Sequence, residues 1–317
     1  MKKTLLMMAV AAVCSMAQAK ILRVNNTTGS GAPYTKVADA LEAAVSGDTI
    51  MVDGSKTAYG NFSITKKVVL MGPGYWRTEN GVSGQGESDA SMGTISISST
   101  AEGTVLRGLT IEYVKVNANK VVINRCHVLH DIDLITGINN IADNCLIHQN
   151  FIQGSVNGYS NNNYANYTQI TNNIFVGRES NVIRYLNEAY IAYNTFASPK
   201  GDGSDRQVLN IKGCTLTKNV FTGNEAKIDG NSYADNYMPE EWIIYVYEHR
   251  ESDLAIKNEQ LSEEDAAVIE GKGAFCGDDP YVISGIPAGP VIQDMTVPAS
   301  VEQGNTLNVT IKLGVQK

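Results

Sequence analysis

The sequence predicts an all-β chain wound into a right-handed parallel β-helix, with an N-terminal helical cap and a C-terminal covering region. Two observations carry this. A six-residue unit recurs seven times, at Leu106–Ile111, Ile123–Val128, Ala142–Ile147, Ile170–Phe175, Ile191–Phe196, Leu216–Phe221 and Tyr233–Met238. The units are filled by Gly, Asn and β-branched residues rather than strong helix formers, which excludes helical repeats of similar period.

The fourth position of the unit reads Leu109, Cys126, Cys145, Asn173, Asn194, Asn219 and Asn236, in steps of 17, 19, 28, 21, 25 and 17 residues. A coil of about twenty residues with variable insertions fits these steps. Alternate side chains of each strand face inward, so like residues stack from coil to coil. Ile111, Val128, Ile147, Phe175, Phe196, Phe221 and Met238 form one expected apolar column. The asparagines are expected at a turn, where their backbone tolerates left-handed angles and their amides bond one another. Cys126 and Cys145 are expected to be neighbours in that column, as two buried thiols or as a strained disulfide.

The elements before the repeat follow in order. Lys2 and Lys3, the apolar run Thr4 to Val13 and Ala17-Gln18-Ala19 read as a secretory signal over residues 1–19, with cleavage before Lys20. A lipoprotein reading at Cys14 ranks second, because Val13 is not small. The apolar run is too short to span a bilayer, and no later run is longer, so no transmembrane segment is expected. The chain is expected in the periplasm, at the cell surface or outside the cell. Thr35 is the expected N-cap of a helix carrying Val37, Leu41, Ala44 and Val45, which would cover the open end of the coil. Strands are expected at Thr49 to Val52, at Lys67 to Met71 and around Ile95 and Ile97. The coil with its cap is assigned to residues 20–238. Residues 239–317 are assigned to a covering region, with a strand near Trp242 to Tyr247, a short helix at Leu261 to Ile269 and added strands between Val297 and Leu313.

Several motifs carry a resemblance. Tyr34-Thr35, Ala40-Leu41, Gly47-Asp48-Thr49-Ile50 and Gly72-Pro73-Gly74-Tyr75 resemble the secreted right-handed β-helix proteins of Bacteroidetes-type bacteria. Gly277-Asp278-Asp279-Pro280-Tyr281-Val282 and Ser284-Gly285-Ile286-Pro287 resemble the region after the coil in those proteins. The resemblance implies the fold and export but no particular activity. The wider fold is similar to that of pectin and pectate lyases, which is analogy at the level of fold alone.

Charge and composition narrow the partners. The formal net charge is −8, and becomes −10 once Lys2 and Lys3 leave with the signal. Nucleic acid is therefore not an expected partner. A polysaccharide or another cell-envelope component is. Four cysteines remain in the mature chain, with no Cys-x-x-Cys pair, so a structural zinc site is not expected. The patterns Asn-Thr-Asp, Gly-His-Gly and Arg-Ile-Lys of polygalacturonases are absent, and no catalytic residue is assigned. Asp278-Asp279 and Glu263-Glu264 lie outside the repeats and read as solvated surface.

The candidate site residues come from two insertions that follow the same strand. The first holds Tyr159, Tyr164 and Tyr167 among asparagines, and Arg178, Arg184, Tyr185 and Tyr190 follow it. Tyrosine faces stack on sugar rings and amides bond hydroxyls, so these residues outline a glycan-binding groove; two plain solvent loops are the competing reading. The second insertion offers Asp202 and Asp205 to Ca²⁺, two carboxylates being too few for a ligand set. No other cofactor is expected. His127, His130 and His148, with Asp131 and Asp133, would lie on an outer face, either as surface histidines or as a metal or acid/base site. The function expected is that of a non-catalytic glycan-binding or structural surface protein. The alternative is a lyase or hydrolase of an acidic polysaccharide.

Overall fold

The computed structural model describes residues 19–77, 88–134, 142–158, 163–176, 181–197, 207–221, 227–228, 232–237, 270–287, 289–296 and 310–316. The expected signal, save for Ala19, lies outside these residues, as do Met238, the segment from Trp242 to Tyr247 and the segment from Leu261 to Ile269.

Two long parallel sheets dominate. The first has ten strands, stacked in chain order from Ile21–Val24 to Ser232–Ala234. The second has thirteen strands among the described residues. It forks at Thr110–Val116: the front half of that strand pairs with His127–Val128, and the back half with Ile132–Asp133. Each later coil therefore puts two short strands into the second sheet, one on each branch. A third side is marked by the parallel pair Ala165–Asn166 and Leu186–Asn187. The chain thus climbs by parallel coils around one apolar interior, a parallel β-helix-like architecture.

Register explains the interior. Leu70, Leu106, Ile123, Ile147, Ile170, Ile191 and Leu216 are paired rung to rung in the first sheet and are buried. In the second sheet the column runs Ile111, Val128, Ile152, Phe175, Phe196, Phe221. The rings of Phe175, Phe196 and Phe221 stack at 4.9 and 4.6 Å, nearly parallel. Flat rings fit here because each rung repeats the last with little displacement.

One coil differs from the expected alignment. The unit of that coil is Ile147–Ile152 rather than Ala142–Ile147, so Asn150, not Cys145, holds its fourth position. The corrected column Leu109, Cys126, Asn150, Asn173, Asn194, Asn219, Asn236 has steps of 17, 24, 23, 21, 25 and 17 residues. Both registers place an apolar residue at the first and last positions, so hydrophobicity alone does not separate them. Cys126 and Cys145 consequently occupy different columns, and both are buried free thiols. Burial in an apolar interior pushes each up to about 12.

The asparagines form a ladder. Asn150, Asn173, Asn194 and Asn219 are buried. In each, the backbone N–H and the side-chain Nδ2 both donate to Oδ1 of the next asparagine, at 2.8–3.0 Å. Each Nδ2 also donates to a strand carbonyl of the preceding coil, as Asn194 does to Ile170. The left-handed backbone expected of these asparagines belongs instead to the residue before each ladder position: Arg125, Gln149, Asn172, Tyr193, Lys218 and Asp235 have φ of 54–61°. The corner needs one left-handed residue to turn the chain outward, and the next side chain then points in and bonds along the stack.

The N-terminal cap is a short helix, Val37–Ala43, with Val37, Ala40 and Leu41 buried against the first strands. Lys36 is its N-cap without a side-chain bond, so Thr35 is displaced by one residue from the expected role. Val45 lies beyond the helix and is exposed. Lys66 closes the other end, donating to the carbonyls of Glu42 and Ala44.

Residues 270–287 do not sit over the end of the coil. They run back along its side as a strap, against the corner that carries the ladder. Gly273 bonds Lys218, Ala274 bonds Thr195, Asn172 bonds Ala274 and Cys276, Gln149 bonds Asp279 and Pro280, and Arg125 bonds Ile286. Tyr75, Phe151, Ile174, Ala197, Ala274 and Tyr281 form a second apolar cluster outside the coil. Gly289–Thr296 and Thr310–Gln316 then pair as an antiparallel hairpin.

If the ladder holds the corners, Asn194→Ala removes the shared acceptor of Asn173 and the donations of its own Nδ2 to Ile170, Ala192 and Asn219. Leaving these buried groups unpaired should cost about 3 kcal/mol. Urea unfolding of the variant checks this, and a loss no greater than that of an exposed control such as Gln169→Ala would contradict it.

Candidate functional site

The outward side chains of the second sheet's back branch stack like the inward ones. Register aligns Ser96, Lys115, Asp133, Asn157 and Arg184 in one outer column. Tyr113 stands two residues before Lys115, and Asp131 two residues before Asp133, so these share the outer face. Strand alternation thus places two carboxylates, two cations and an amide on neighbouring rungs about 4.8 Å apart.

Hydrogen bonds tie the column together. Ser155 donates from its N–H and its hydroxyl to Asp131 Oδ1, at 2.9 and 2.6 Å. Asn157 Nδ2 donates to Ser155 Oγ at 2.8 Å and to Asp133 Oδ1 at 3.4 Å. Arg184 Nε donates to Asn157 Oδ1 at 2.9 Å. Asn157 is buried, so it acts as a fixed bridge between the Asp133 carboxylate and the Arg184 guanidinium. Burial holds the Asp133 carboxyl above its ordinary range and Asp131 adds to this, against the Asn157 bond, Lys115 and Arg184. Beside them the rings of Tyr113 and His130 stack at 4.5 Å.

Arg184 leads to the aromatic part. Its guanidinium lies over the Tyr185 ring at 5.7 Å. Tyr185 meets Tyr164 edge to face at 6.4 Å, and Lys212 Nζ lies 4.1 Å over the Tyr164 ring. Tyr185 has φ of 61°, which turns the chain from the second sheet into the third side. Its place beside residue 158 requires glycine there, since a Cβ would fall 2.1 Å from the Tyr185 carbonyl oxygen. The strip from Asp131 to Tyr164 is therefore continuous around one corner of the coil.

Of the residues expected at the site, the structure brings Tyr164, Arg184 and Tyr185 together. Tyr167 is half exposed at the corner leading into the first sheet, with φ of 55°. Tyr190 is exposed on the outer face of the first sheet, between Gln169 and Thr215. Tyr159, Arg178, Asp202 and Asp205 lie outside the described residues. Tyr164 and Tyr167 stand in no insertion in the corrected register; they flank Ala165–Asn166, the third side of a coil of ordinary length.

The histidines part company. His127 and His148 are buried rather than on an open face. His127 packs with Tyr75, Trp76 and Phe151 beneath the second apolar cluster. His148 bonds Thr171 through Nδ1 and Asp279 through Nε2, at 2.8 and 3.0 Å, as part of the strap contact. Asp279, expected as solvated surface that supports the turn before Pro280, is 70% exposed and also bonds His148. Among the described residues no three His, Cys, Asp or Glu side chains are grouped to hold a metal, and no helix is long and apolar enough to cross a membrane. Sequence reasoning misses Lys115, Asn157 and Lys212; with the coil register in hand, the recurrence of polar residues two positions apart on the back branch finds Lys115 and Asn157, while Lys212 stands on the third side beside Asn187, where no such recurrence marks it.

Asp133 gives a pH prediction. Its raised carboxyl favours the fold fully only below the ordinary carboxylate range, and this contribution is lost as pH rises through the raised value. Asp133→Asn should therefore gain stability relative to the native chain at neutral pH, and the gain should vanish on acidification below the ordinary range. Thermal melts across that range check the sign.

No family model, no curated protein and no solved structure matches this chain.

Proposed function

We propose that this chain is an exported right-handed parallel β-helix of the cell envelope that binds a glycan along the strip from Asp131 to Tyr164. The right hand is that of nearly all parallel crossovers. The reading rests on one observation: the Asp133–Asn157–Arg184 chain runs directly into the Arg184–Tyr185–Tyr164–Lys212 cluster. Sugar recognition needs both parts, planar carboxylate, amide and guanidinium groups for hydroxyls and ring faces for the apolar side of the pyranose. The coil holds Asp133, Asn157 and Arg184 on strands and Tyr185 at the turn that follows, so little ordering entropy is lost on binding. Alternating charge suits a glycan carrying both hydroxyls and anionic groups.

A second reading, polysaccharide cleavage, is favoured by Asp131 and Asp133 on one strand between Lys115 and Arg184. A carboxyl held above its ordinary range beside cations is suited to moving protons.

The test is a panel of neutral and acidic polysaccharides with residues 20–317, with binding and new chain ends read on the same samples. Binding is expected to weaken about tenfold in Arg184→Ala and in Tyr185→Ala, the loss of one such contact. Tyr167→Ala and Tyr190→Ala should change it little. New chain ends that disappear in Asp133→Asn would favour the second reading. Binding unaffected by either strip substitution would overturn the first.

A further inference from the structure

Two arginines meet where the first sheet adjoins the strap. Arg107 ends the strand Val105–Arg107, and register pairs it with Met71 on one side and Asn124 on the other. Leu106 beside it is buried in the interior, so Arg107 stands on the outer face of the sheet. Arg125 directly follows Asn124, at the left-handed corner. The two arginines therefore stand on adjacent rungs, about 4.8 Å apart.

The end of the strap borders the same place. Pro287 lies on Gly108, the residue after Arg107: a Cβ on Gly108 would fall 2.8 Å from the proline ring. Gly285 lies against Arg125, where a Cβ would fall 2.3 Å from the Arg125 carbonyl oxygen.

The two guanidinium groups are held differently. Arg125 is buried. Its Nε donates to Gln149 Oε1 at 2.8 Å and its Nη1 to the Ile286 carbonyl at 2.9 Å. Both acceptors are neutral. Arg107 is half-buried, and its Nε is sealed from solvent without an acceptor. Among the described residues no carboxylate forms an ion pair with either group. Asp279 is taken instead by His148 Nε2 and Gln149 Nε2, at 3.0 and 2.8 Å. Burial holds the Arg125 guanidinium below its ordinary value and Arg107 lowers it further, against Asp279.

Two penalties thus coincide. A sealed guanidinium N–H without an acceptor forfeits its bond to water. Two neighbouring cations repel more strongly where protein displaces water. One anion with oxygens toward both groups removes both penalties. The chain as a whole carries a formal net charge of −8, so this excess of positive charge is local.

We propose that Arg107 and Arg125 form an oxyanion site at the edge of the strap, taking a sulfate or carboxylate group, as a free ion or on an acidic sugar. Guanidinium forks match the oxygens of such groups. A bound anion joins the first sheet to the strap, because Arg125 already holds Ile286. The site lies away from the back branch and does not rest on the glycan strip proposed above.

The test is calorimetric titration of residues 20–317 at low ionic strength with sulfate, acetate and glucuronate, against a chloride blank. Saturable binding of at least one probe is expected. It should weaken at least about tenfold in Arg107→Met, which keeps the apolar stem. Lys120→Met removes an exposed cation elsewhere and should leave the affinity unchanged. In chloride, Arg107→Met should melt no lower than the native chain, since it removes a repulsion, and this separates lost binding from lost fold. Glucuronate bound more tightly than acetate would support a site for an acidic sugar, and the reverse order a site for a free ion. No saturable binding of any probe, or equal binding in Arg107→Met, would overturn the proposal. So would a lower melting temperature of Arg107→Met in chloride.

Discussion

The asparagine ladder at the corner between the two sheets is the interaction on which the rest of the molecule depends. A parallel coil must turn sharply at each corner, and a sharp turn points backbone donors and one side chain into the interior. Unpaired, those groups would cost more than the apolar contacts around them contribute. From Asn173 to Asn236, each Oδ1 takes a backbone and a side-chain donor from the coil before, Asn150 Oδ1 takes the backbone N–H of Cys126, and each Nδ2 reaches back to a strand carbonyl. The ladder thereby fixes the spacing of coils, and the stacked phenylalanines beside it can lie ring on ring.

The same register organises the exterior. The left-handed residues just before the ladder project outward, and there the strap bonds Arg125, Gln149 and Asn172. The strap therefore occupies the corner where backbone geometry repeats most faithfully, and buries Tyr75, Phe151 and Tyr281 in a second apolar cluster. The back branch of the second sheet lies away from that corner. Its outward column combines Asp133, Asn157 and Arg184 in fixed relation, and the turn at Tyr185 extends it onto the third side. Structure and candidate site thus divide the outer surface between them.

The coil was legible because its signal repeats: Phe175, Phe196, Phe221 and the asparagines beside them each report the same position. Where the signal weakens, the reading slipped. Cys145 and Ile147 satisfied the hydrophobic pattern as well as Asn150 and Ile152 do, and only the carbonyl and amide partners of Asn150 separate the two registers. That slip turned an ordinary coil into an apparent insertion and made loop residues of Tyr164 and Tyr167. Tyr164, Arg184 and Tyr185 were found for their residue type, while Asn157 and Lys212 become visible only once rungs are aligned. The sequence places His127 and His148 outward, as their strand positions are, but what covers them comes from Tyr75, Trp76 and Asp279, distant in sequence. Contacts of that range leave no local pattern.

The ladder and the outer columns depend on the register of one coil, and a disulfide can read it directly. Leu146 and Gln169 face each other across neighbouring rungs, and the parallel strand spacing of about 4.8 Å falls within the range that a disulfide spans. With Cys276→Ser to remove the accessible native thiol, Leu146→Cys with Gln169→Cys should bridge within one chain under mild oxidation, whereas Asp143→Cys with Thr171→Cys, partners if Ala142–Ile147 were the repeating unit, should not. Bridging of the second pair in place of the first would contradict the ladder at Asn150 and, with it, the alignment of Asp133, Asn157 and Arg184.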